Sequence, residues 1–376
     1  MTINRFLIKL LCDILPMFAL IIFSFGEIFV GTKYIIIGFL CVLPFFISYF
    51  KKFGSPKYIV LFYVATLIGS LANLLTTQNG IGGTILFMTT LPLAIYCLTH
   101  LSIIKYVSLI VLIYNLLFIS TKIFIEYINP EYIYESIGLS RNYPGYLLVV
   151  WTVLWSFTKY VTERKISIIL PVLSFILSFF LEGRASMGIL FFIAIISCYL
   201  RNKNTIYLFP ILVIFLVYRY WEELVILFEM TRFSNESFDT SRFDIWGAYF
   251  KALNIPSLFF GLDTTTVPIL AEYGGNPHNA FLNFHYRMGI AGLGSLLYVM
   301  ATSILTYLRK KEIFILMLLF ALIGRFSFDS NLNVTYDFIF YSIVFYPLIK
   351  QTEVTYTKSN LNSPLLSPFR WIISFL

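Results

Sequence analysis

Apolar stretches close to the ~20 residues needed to cross a bilayer recur along the whole chain. Inside hydrocarbon every backbone amide and carbonyl must be bonded within the protein, so such stretches fold as helices. The sequence therefore predicts an all-α, polytopic integral membrane protein with about twelve transmembrane helices. Their predicted positions are 7–25, 34–50, 58–76, 83–101, 106–125, 144–161, 166–181, 185–200, 205–220, 280–308, 312–327 and 336–349.

The composition excludes an ordinary soluble enzyme. Hydrophobic residues make up 59% of the chain, against roughly 45–50% in soluble domains. Charged residues make up 12%, about half the usual share, which is too few to cover a surface in water. The net charge of +8 does not indicate nucleic-acid binding, because the basic residues form small groups between apolar stretches. The four cysteines lie inside those stretches and are interpreted as small buried hydrophobes.

The basic groups predict an orientation. The short connections on one side of the predicted bundle, for example those at Lys51 and Lys310, carry most of the lysines and arginines. By the positive-inside rule this side is cytoplasmic, and both termini lie on it. Arg5 and Lys9 precede the first stretch, as in a signal peptide, but no small-x-small cleavage site follows, so we expect a retained helix.

One connection, 221–279, is much longer than the others and lies on the outer, periplasmic or extracellular, side. A shorter outer connection covers 126–143. Long ordered connections in compact proteins are usually functional. We expect one transmembrane helical domain over 1–349, with 221–279 as its long outer loop, and a cytoplasmic tail over 350–376.

The long loop contains an amphipathic helix by its pattern. Ser241 and Asp244 have the spacing of a capping box, and Pro256 ends the helical pattern. The helix is expected to rest on the membrane or the bundle through one apolar face. The residues predicted to form that face are Phe243, Trp246, Phe250 and Leu253.

Arg242 falls in the first turn of this predicted helix, where the helix dipole disfavours a cation. A bound anion would relieve the conflict, because a helix N-terminus with an arginine is a suitable phosphate site. The alternative is a simple ion pair of Arg242 with Asp239 or Asp244.

His278 lies at the predicted start of the helix that follows the loop. Asn276 suits the N-cap position and Pro277 the first helical position, so His278 is predicted to occupy the first turn. There the helix dipole favours the neutral imidazole, which can accept a proton. The alternative is an interfacial histidine that only caps or packs. His100 and His285 have no comparable sequence setting.

Three more arginines are predicted at outer helix ends. Arg184 follows Glu182 between two apolar stretches, Arg141 precedes a predicted helix, and Arg325 ends one. For each arginine the alternative to a functional role is a side chain that extends to the membrane surface or forms a local ion pair. Together with Arg242 and His278 they are groups that a diphosphate would need. The sequence has no Walker loop, no Gly-x-Gly-x-x-Gly, no His-Glu-x-x-His and no Asp-x-Asp, so we expect neither a metal nor a cofactor.

Three motifs resemble the O-antigen polymerase and O-antigen ligase superfamily. The first is Pro-His-Asn-Ala-Phe-Leu at 277–282, followed by Gly-Ile-Ala-Gly-Leu-Gly at 289–294. The second is Ser-Arg-Phe-Asp-Ile-Trp at 241–246, and the third is Glu-Gly-Arg-Ala-Ser at 182–186. The match covers roughly residues 135–345. It departs from the family at Gly183, where serine is usual, and at Asn283 and Arg287, where acidic residues are common.

This resemblance implies a GT-C-type membrane glycosyltransferase in the bacterial inner membrane, with its active site facing the periplasm. The donor would be an undecaprenyl-diphosphate-linked oligosaccharide. By position, His278, Arg184 and Arg242 match the family's catalytic residues, and Arg141, Asn279 and Arg325 its substrate-binding residues. As a polymerase the protein would use a second lipid-linked repeat unit as acceptor, with a chain-length regulator as a further partner. As a ligase it would use lipid A core.

A transporter or flippase is the alternative from another class. It predicts internal repeats, broken helices and charges near the bilayer midplane. The sequence shows no repeat, and its ionisable residues crowd one rim and the long outer loop.

Overall fold

The computed structural model describes residues 10–29, 33–53, 57–76, 81–128, 133, 142–181, 183–203, 218–219, 242–327 and 336–361. Within them the chain is helical, and no β-strand occurs. The bundle helices before the long loop are α1 (Leu15–Phe29, after a π-helical turn at Leu10–Ile14), α2 (Lys33–Phe53), α3 (Lys57–Thr76), α4 (Ile81–Thr99), α5 (Leu101–Ser120, continued by a π-helical turn at Thr121–Ile125), α6 (Tyr143–Glu163), α7 (Ile169–Phe180) and α8 (Arg184–Arg201).

The loop and the C-terminal part add six helices to the described chain. Short helices α9 (Arg242–Ala252), α10 (Ile255–Phe260) and α11 (Pro268–Glu272) belong to the long loop, with a 3₁₀ turn at Thr264–Thr266 between the last two. The bundle is completed by α12 (Ala280–Arg309), α13 (Ile313–Ser327) and α14 (Asp337–Leu361).

Eleven of the twelve predicted stretches coincide with described helices, and 205–220 falls outside the described residues except for 218–219. Four of the described segments are long and apolar enough to cross a membrane, and further apolar helices are shorter. The four are Lys57–Leu75, Leu101–Ile125, Arg184–Arg201 and Ala280–Lys310. Many large apolar side chains on these helices are exposed, for example Leu61, Ile68, Ile110 and Leu117. Such a surface fits lipid rather than water.

The centre of the bundle is an aromatic cluster. The Phe62 ring on α3 lies 5.5 Å from Phe87 on α4, 6.4 Å from Phe284 on α12, and 5.7 and 5.6 Å from Tyr341 and Phe345 on α14. Aromatic pairs at these separations add attraction beyond their burial. The cluster therefore joins the consecutive helices α3 and α4 to α12 and α14, which lie far from them in sequence.

Two ends of the bundle can be told apart by their contacts. At one end, here called the basic end, Lys105 pairs with Glu163 at 2.6 Å and Arg164 with Glu312 at 2.9 Å. These pairs join the start of α5, the end of α6 and the segment before α13. The other end, here called the site end, is where α6, α8, α12 and α14 begin and α13 ends.

Helix α12 is broken near its start. Gly289 has φ +61° and ψ −172°, which are not helical backbone angles. Glycine adopts such a conformation without steric cost. A Cβ on Gly289 would collide with the carbonyl oxygen of Phe259, so α10 lies against the break. On the other side, a Cβ on Gly69 of α3 would collide with the Met288 carbonyl oxygen. Small residues thus let three backbones approach closely, as membrane helix interfaces commonly do.

Candidate functional site

His278 lies before α12 and not in its first turn. The N-cap of α12 is Asn279, whose Oδ1 accepts hydrogen bonds from the backbone amides of Phe281 (2.9 Å) and Leu282 (3.2 Å). The prediction that Asn276 is the N-cap is therefore wrong. Its Oδ1 accepts from the His278 amide at 2.8 Å, and His278 takes a left-handed φ of +47°. This turn delays the helix by three residues and removes the predicted placement of the imidazole in the helix dipole.

The surroundings of His278 are aromatic and partly open. Its half-buried ring meets the edge of Tyr273, with ring centroids 5.5 Å apart. The neighbouring Pro277 carbonyl accepts a hydrogen bond from Trp246 Nε1 at 2.9 Å, which fastens α9 beside His278. A left-handed backbone at a non-glycine residue is strained, and such strain is concentrated at functional sites.

Asn279 connects two helices. While its oxygen caps α12, its Nδ2 donates to the Ser327 carbonyl at the end of α13, at 3.1 Å. The predicted substrate-binding amide is therefore already used as a cap and as a link between helices. This link places the end of α13, with Arg325, beside the start of α12.

Arg325 is buried, with 2% of its surface exposed. Its guanidinium lies 5.5 Å from the centroid of the Tyr146 ring on α6. Its contact with substrate stays a prediction. In the structure Arg325 is a buried cation beneath the site end.

Arg184 is the first residue of α8 and is half-buried. The start of α8 packs on the start of α6, since a Cβ on Gly145 would approach Ser186 Oγ to 2.9 Å. Glu182, the predicted local partner of Arg184, lies outside the described residues, as does Arg141.

Arg242 is the first residue of α9, as expected, and is half-buried. It precedes Trp246 by four residues and so lies one turn away on the same side of the helix. Ser241, the predicted cap, lies outside the described residues.

The predicted apolar face of α9 only partly coincides with the side that meets protein, since Trp246 and Leu253 pack against the protein but Phe243 and Phe250 do not. Ile245 and Tyr249 are buried, whereas Phe243 and Phe250 are exposed. The buried pair packs in a small second core of the long loop and the start of α12; its other members are Leu262, Val267, Leu270, Leu282 and Tyr286. Because α9 is apolar on two sides, its sequence did not reveal which side meets protein.

His285 makes contacts that its sequence setting does not predict. Its Nε2 lies 2.9 Å from the Leu258 carbonyl, which can only accept, so Nε2 carries the proton. Its Nδ1 then accepts from the Tyr249 hydroxyl at 2.6 Å. Burial raises the pKa of the Tyr249 phenol, which keeps it a donor. His285 thus fastens α9 and α10 to α12 and has both nitrogens engaged.

Successive contacts connect the predicted site residues that are described. Trp246 of α9 contacts the His278 turn, and Asn279 at the start of α12 contacts the end of α13. Arg325 of α13 contacts α6, and α6 packs on α8 at Ser186. Among the described residues no cluster of three or more histidine, cysteine or acidic side chains could hold a metal. No family model, curated protein or solved structure matches the chain.

Proposed function

We propose that the protein is a GT-C-type membrane glycosyltransferase that polymerises a surface polysaccharide, such as O-antigen. It would transfer glycan from an undecaprenyl-diphosphate-linked donor to a hydroxyl of a second lipid-linked repeat unit. One observation carries the proposal. At the site end, a series of contacts joins His278, whose backbone is strained, to helices that begin or end near Arg184, Arg242 and Arg325.

The reaction is a single displacement at the anomeric carbon. The bond from that carbon to the diphosphate oxygen breaks, and its electron pair leaves with the lipid diphosphate. The acceptor oxygen forms the new bond from the opposite face, which inverts the configuration, and its proton passes to a base. The diphosphate is already a good leaving group, so the protein must supply positioning and charge stabilisation.

The half-buried Arg184 and Arg242 suit contact with the diphosphate, since guanidinium binds phosphate oxygens through paired hydrogen bonds. His278 suits the base, because its ring is partly open and its backbone is held by Asn276. Arg325 is assigned a positioning role from beneath. Asn279 is assigned to hold the His278 turn between α12 and α13. Arg141 stays a prediction of substrate binding.

Transport is the second candidate, and the break in α12 is the observation in its favour. Discontinuous membrane helices form substrate sites in many transporters. Locally, however, the break is filled by protein, with the carbonyl of Phe259 against Gly289.

The test is a reconstituted assay with purified protein and undecaprenyl-diphosphate-linked oligosaccharide as the only substrate. A ladder of products differing by whole repeat units supports the polymerase. Transfer only after lipid A core is added indicates a ligase instead. Absence of product in both cases, with lipid-linked sugar moved across the vesicle membrane, indicates transport.

Matched variants assign the residues in this assay. His278→Ala should lower the rate by about 10²–10⁴-fold, as loss of a general base does, and His100→Ala at the basic end should not. Arg184→Ala should weaken donor binding, whereas Arg201→Ala, at the exposed far end of the same helix, should leave it unchanged. Equal effects within either pair contradict the assignment.

A further inference from the structure

Helices α9 and α10 expose a group of large apolar side chains. Phe243 and Phe250 of α9 are 65% and 59% exposed, and Ile255 and Phe259 of α10 are 76% and 53% exposed. The group, here called the apolar face of the loop, consists of Phe243, Phe250, Ile255, Leu258, Phe259 and Phe260. Scattered exposed apolar residues are ordinary, but six on two successive short helices are not.

Helix α10 has no polar side. Five of its six residues are exposed, and the sixth, Ser257, is used in the capping box with Asn254. A helix that is hydrophobic all round is stable only in an apolar medium. Its polar backbone start is closed by the capping box, and its end is bonded to α3, as a segment in lipid requires.

The depth of α10 follows from two membrane-spanning helices. Asn73 of α3 donates to the Phe260 carbonyl at 2.7 Å. Asn73 lies inside the apolar segment Lys57–Leu75, about 24 Å from Lys57 at ~1.5 Å per residue. The Phe259 carbonyl meets Gly289 of α12, which is about 30 Å from Arg309 by the same rise. Both distances place the end of α10 near the edge of a hydrocarbon core about 30 Å thick.

The lipid-facing surface of α3 reaches the same level. Leu61, Ile68 and Leu75 follow at seven-residue spacing along one side of α3 and are exposed, with Leu75 at 88%. Since Leu75 lies two residues beyond Asn73, this stripe ends at the level of Phe260. The apolar face of the loop therefore continues a surface that is already lipid-facing.

We propose that the apolar face of the loop is inserted into the bilayer leaflet at the site end, where lipid acyl chains cover it. The loop is then an interfacial element and not one that stands free in water. Insertion fixes the start of α9, with Arg242, at the level of the lipid headgroups. This inference rests on the membrane-spanning segments and does not depend on the proposed enzymatic function.

Spin labels test the insertion directly. In protein whose four cysteines are replaced by alanine, single cysteines are introduced by Ile255→Cys and Phe259→Cys and labelled. Matched controls are Thr265→Cys and Glu272→Cys, which are exposed positions of the same loop. The protein is reconstituted in phosphatidylcholine and phosphatidylglycerol vesicles. Collision rates are measured with oxygen, which concentrates in lipid, and with a neutral nickel chelate, which stays in water.

Insertion predicts a several-fold higher ratio of oxygen to nickel collisions at 255 and 259 than at 265 and 272. Labels at 255 and 259 should also broaden with lipids that carry a spin label high on the acyl chain. Ratios equal to those of the controls would overturn the proposal. Protection from both probes would overturn it as well, since it would mean that a second copy of the chain covers this face. All four labelled positions are exposed, so elution of each labelled protein as the same unaggregated species as the unlabelled cysteine-free protein suffices as the folding check.

Discussion

Replacing Asn73 with leucine should destabilise the protein more than any comparable change on the same helix. The Asn73 amide is buried and donates to two carbonyls, Phe260 and Tyr286, each at 2.7 Å. Tyr286 lies in the last turn before the break at Gly289, where carbonyls lose their regular helical partners. Leucine fills a similar volume but donates nothing, so two carbonyls lose a donor where water is scarce.

The magnitude follows from those two bonds. A hydrogen bond between membrane helices is worth about 0.6 kcal/mol on average and about 1.7 at most. Where the acceptor is left unsatisfied in a buried place, the cost is instead about 1–3 kcal/mol for each bond, so the two bonds together fall between about 1 and about 6 kcal/mol. For Asn73→Leu we therefore expect a loss in the middle of this range, about 2–4 kcal/mol, which is a shift of about 30- to 700-fold in the unfolding equilibrium at 1.4 kcal/mol per tenfold.

The assay is reversible unfolding in mixed detergent and SDS micelles, followed by circular dichroism. The matched control is Asn115→Leu on α5. Asn115 is also buried and donates at 2.8 Å, but to Val111 of its own helix, one turn before it. That carbonyl keeps its helical bond, so the control should lose less than about 1 kcal/mol. Equal losses for Asn73→Leu and Asn115→Leu would refute the reasoning.

Three further changes test the structure in thermal melts of the detergent-solubilised protein. Gly289→Ala should destabilise the protein by at least about 1–2 kcal/mol, because a residue with a Cβ pays that cost for a left-handed backbone. The control Gly294→Ala has open space around it and should not destabilise. Similar melting temperatures for the two variants would argue against the break. Tyr249→Phe removes the hydroxyl bonded to His285 and should cost about 1 kcal/mol, so an unchanged melt would contradict the link. Arg164→Ala breaks an exposed ion pair and should lower the free energy of unfolding by less than about 1 kcal/mol. A larger loss would contradict this and would mean that the pair holds the basic end together.

The positions of the bundle helices could be predicted because each apolar stretch must satisfy its own backbone in lipid. For that reason most predicted stretches and described helices agree to within a few residues, except that α14 continues to Leu361, past the predicted end at 349. Helix starts in the outer loop were harder, because several polar residues compete for one cap. Asn276 and Asn279 are three residues apart and both suit an N-cap. Only the turn at His278 decides between them.

The tertiary links could not be predicted from local pattern. The bond from Asn73 to Phe260 spans 187 residues and that to Tyr286 spans 213. Nothing in the neighbourhood of Asn73 indicates its partners. The burial of Arg325 is of the same kind, since its cover comes from the start of α6. The link from His285 to Tyr249 is another such case, because a histidine within an apolar helix has no local signal for a distant partner.

The position of the break in α12 distinguishes a transporter from the proposed transferase. A transporter uses a broken helix near the midplane, where freed backbone groups face the substrate path. Here Gly289 lies about 30 Å from Arg309, close to the edge of the hydrocarbon core, and the carbonyls around it are met by Asn73 and α10. Such a break separates the first turns of α12 from the rest of the helix, and Leu282 and Tyr286 in those turns pack with the loop. This arrangement supports the proposed transferase, whose proposed base His278 and arginines Arg184 and Arg242 would act at the headgroup level, where a lipid diphosphate lies.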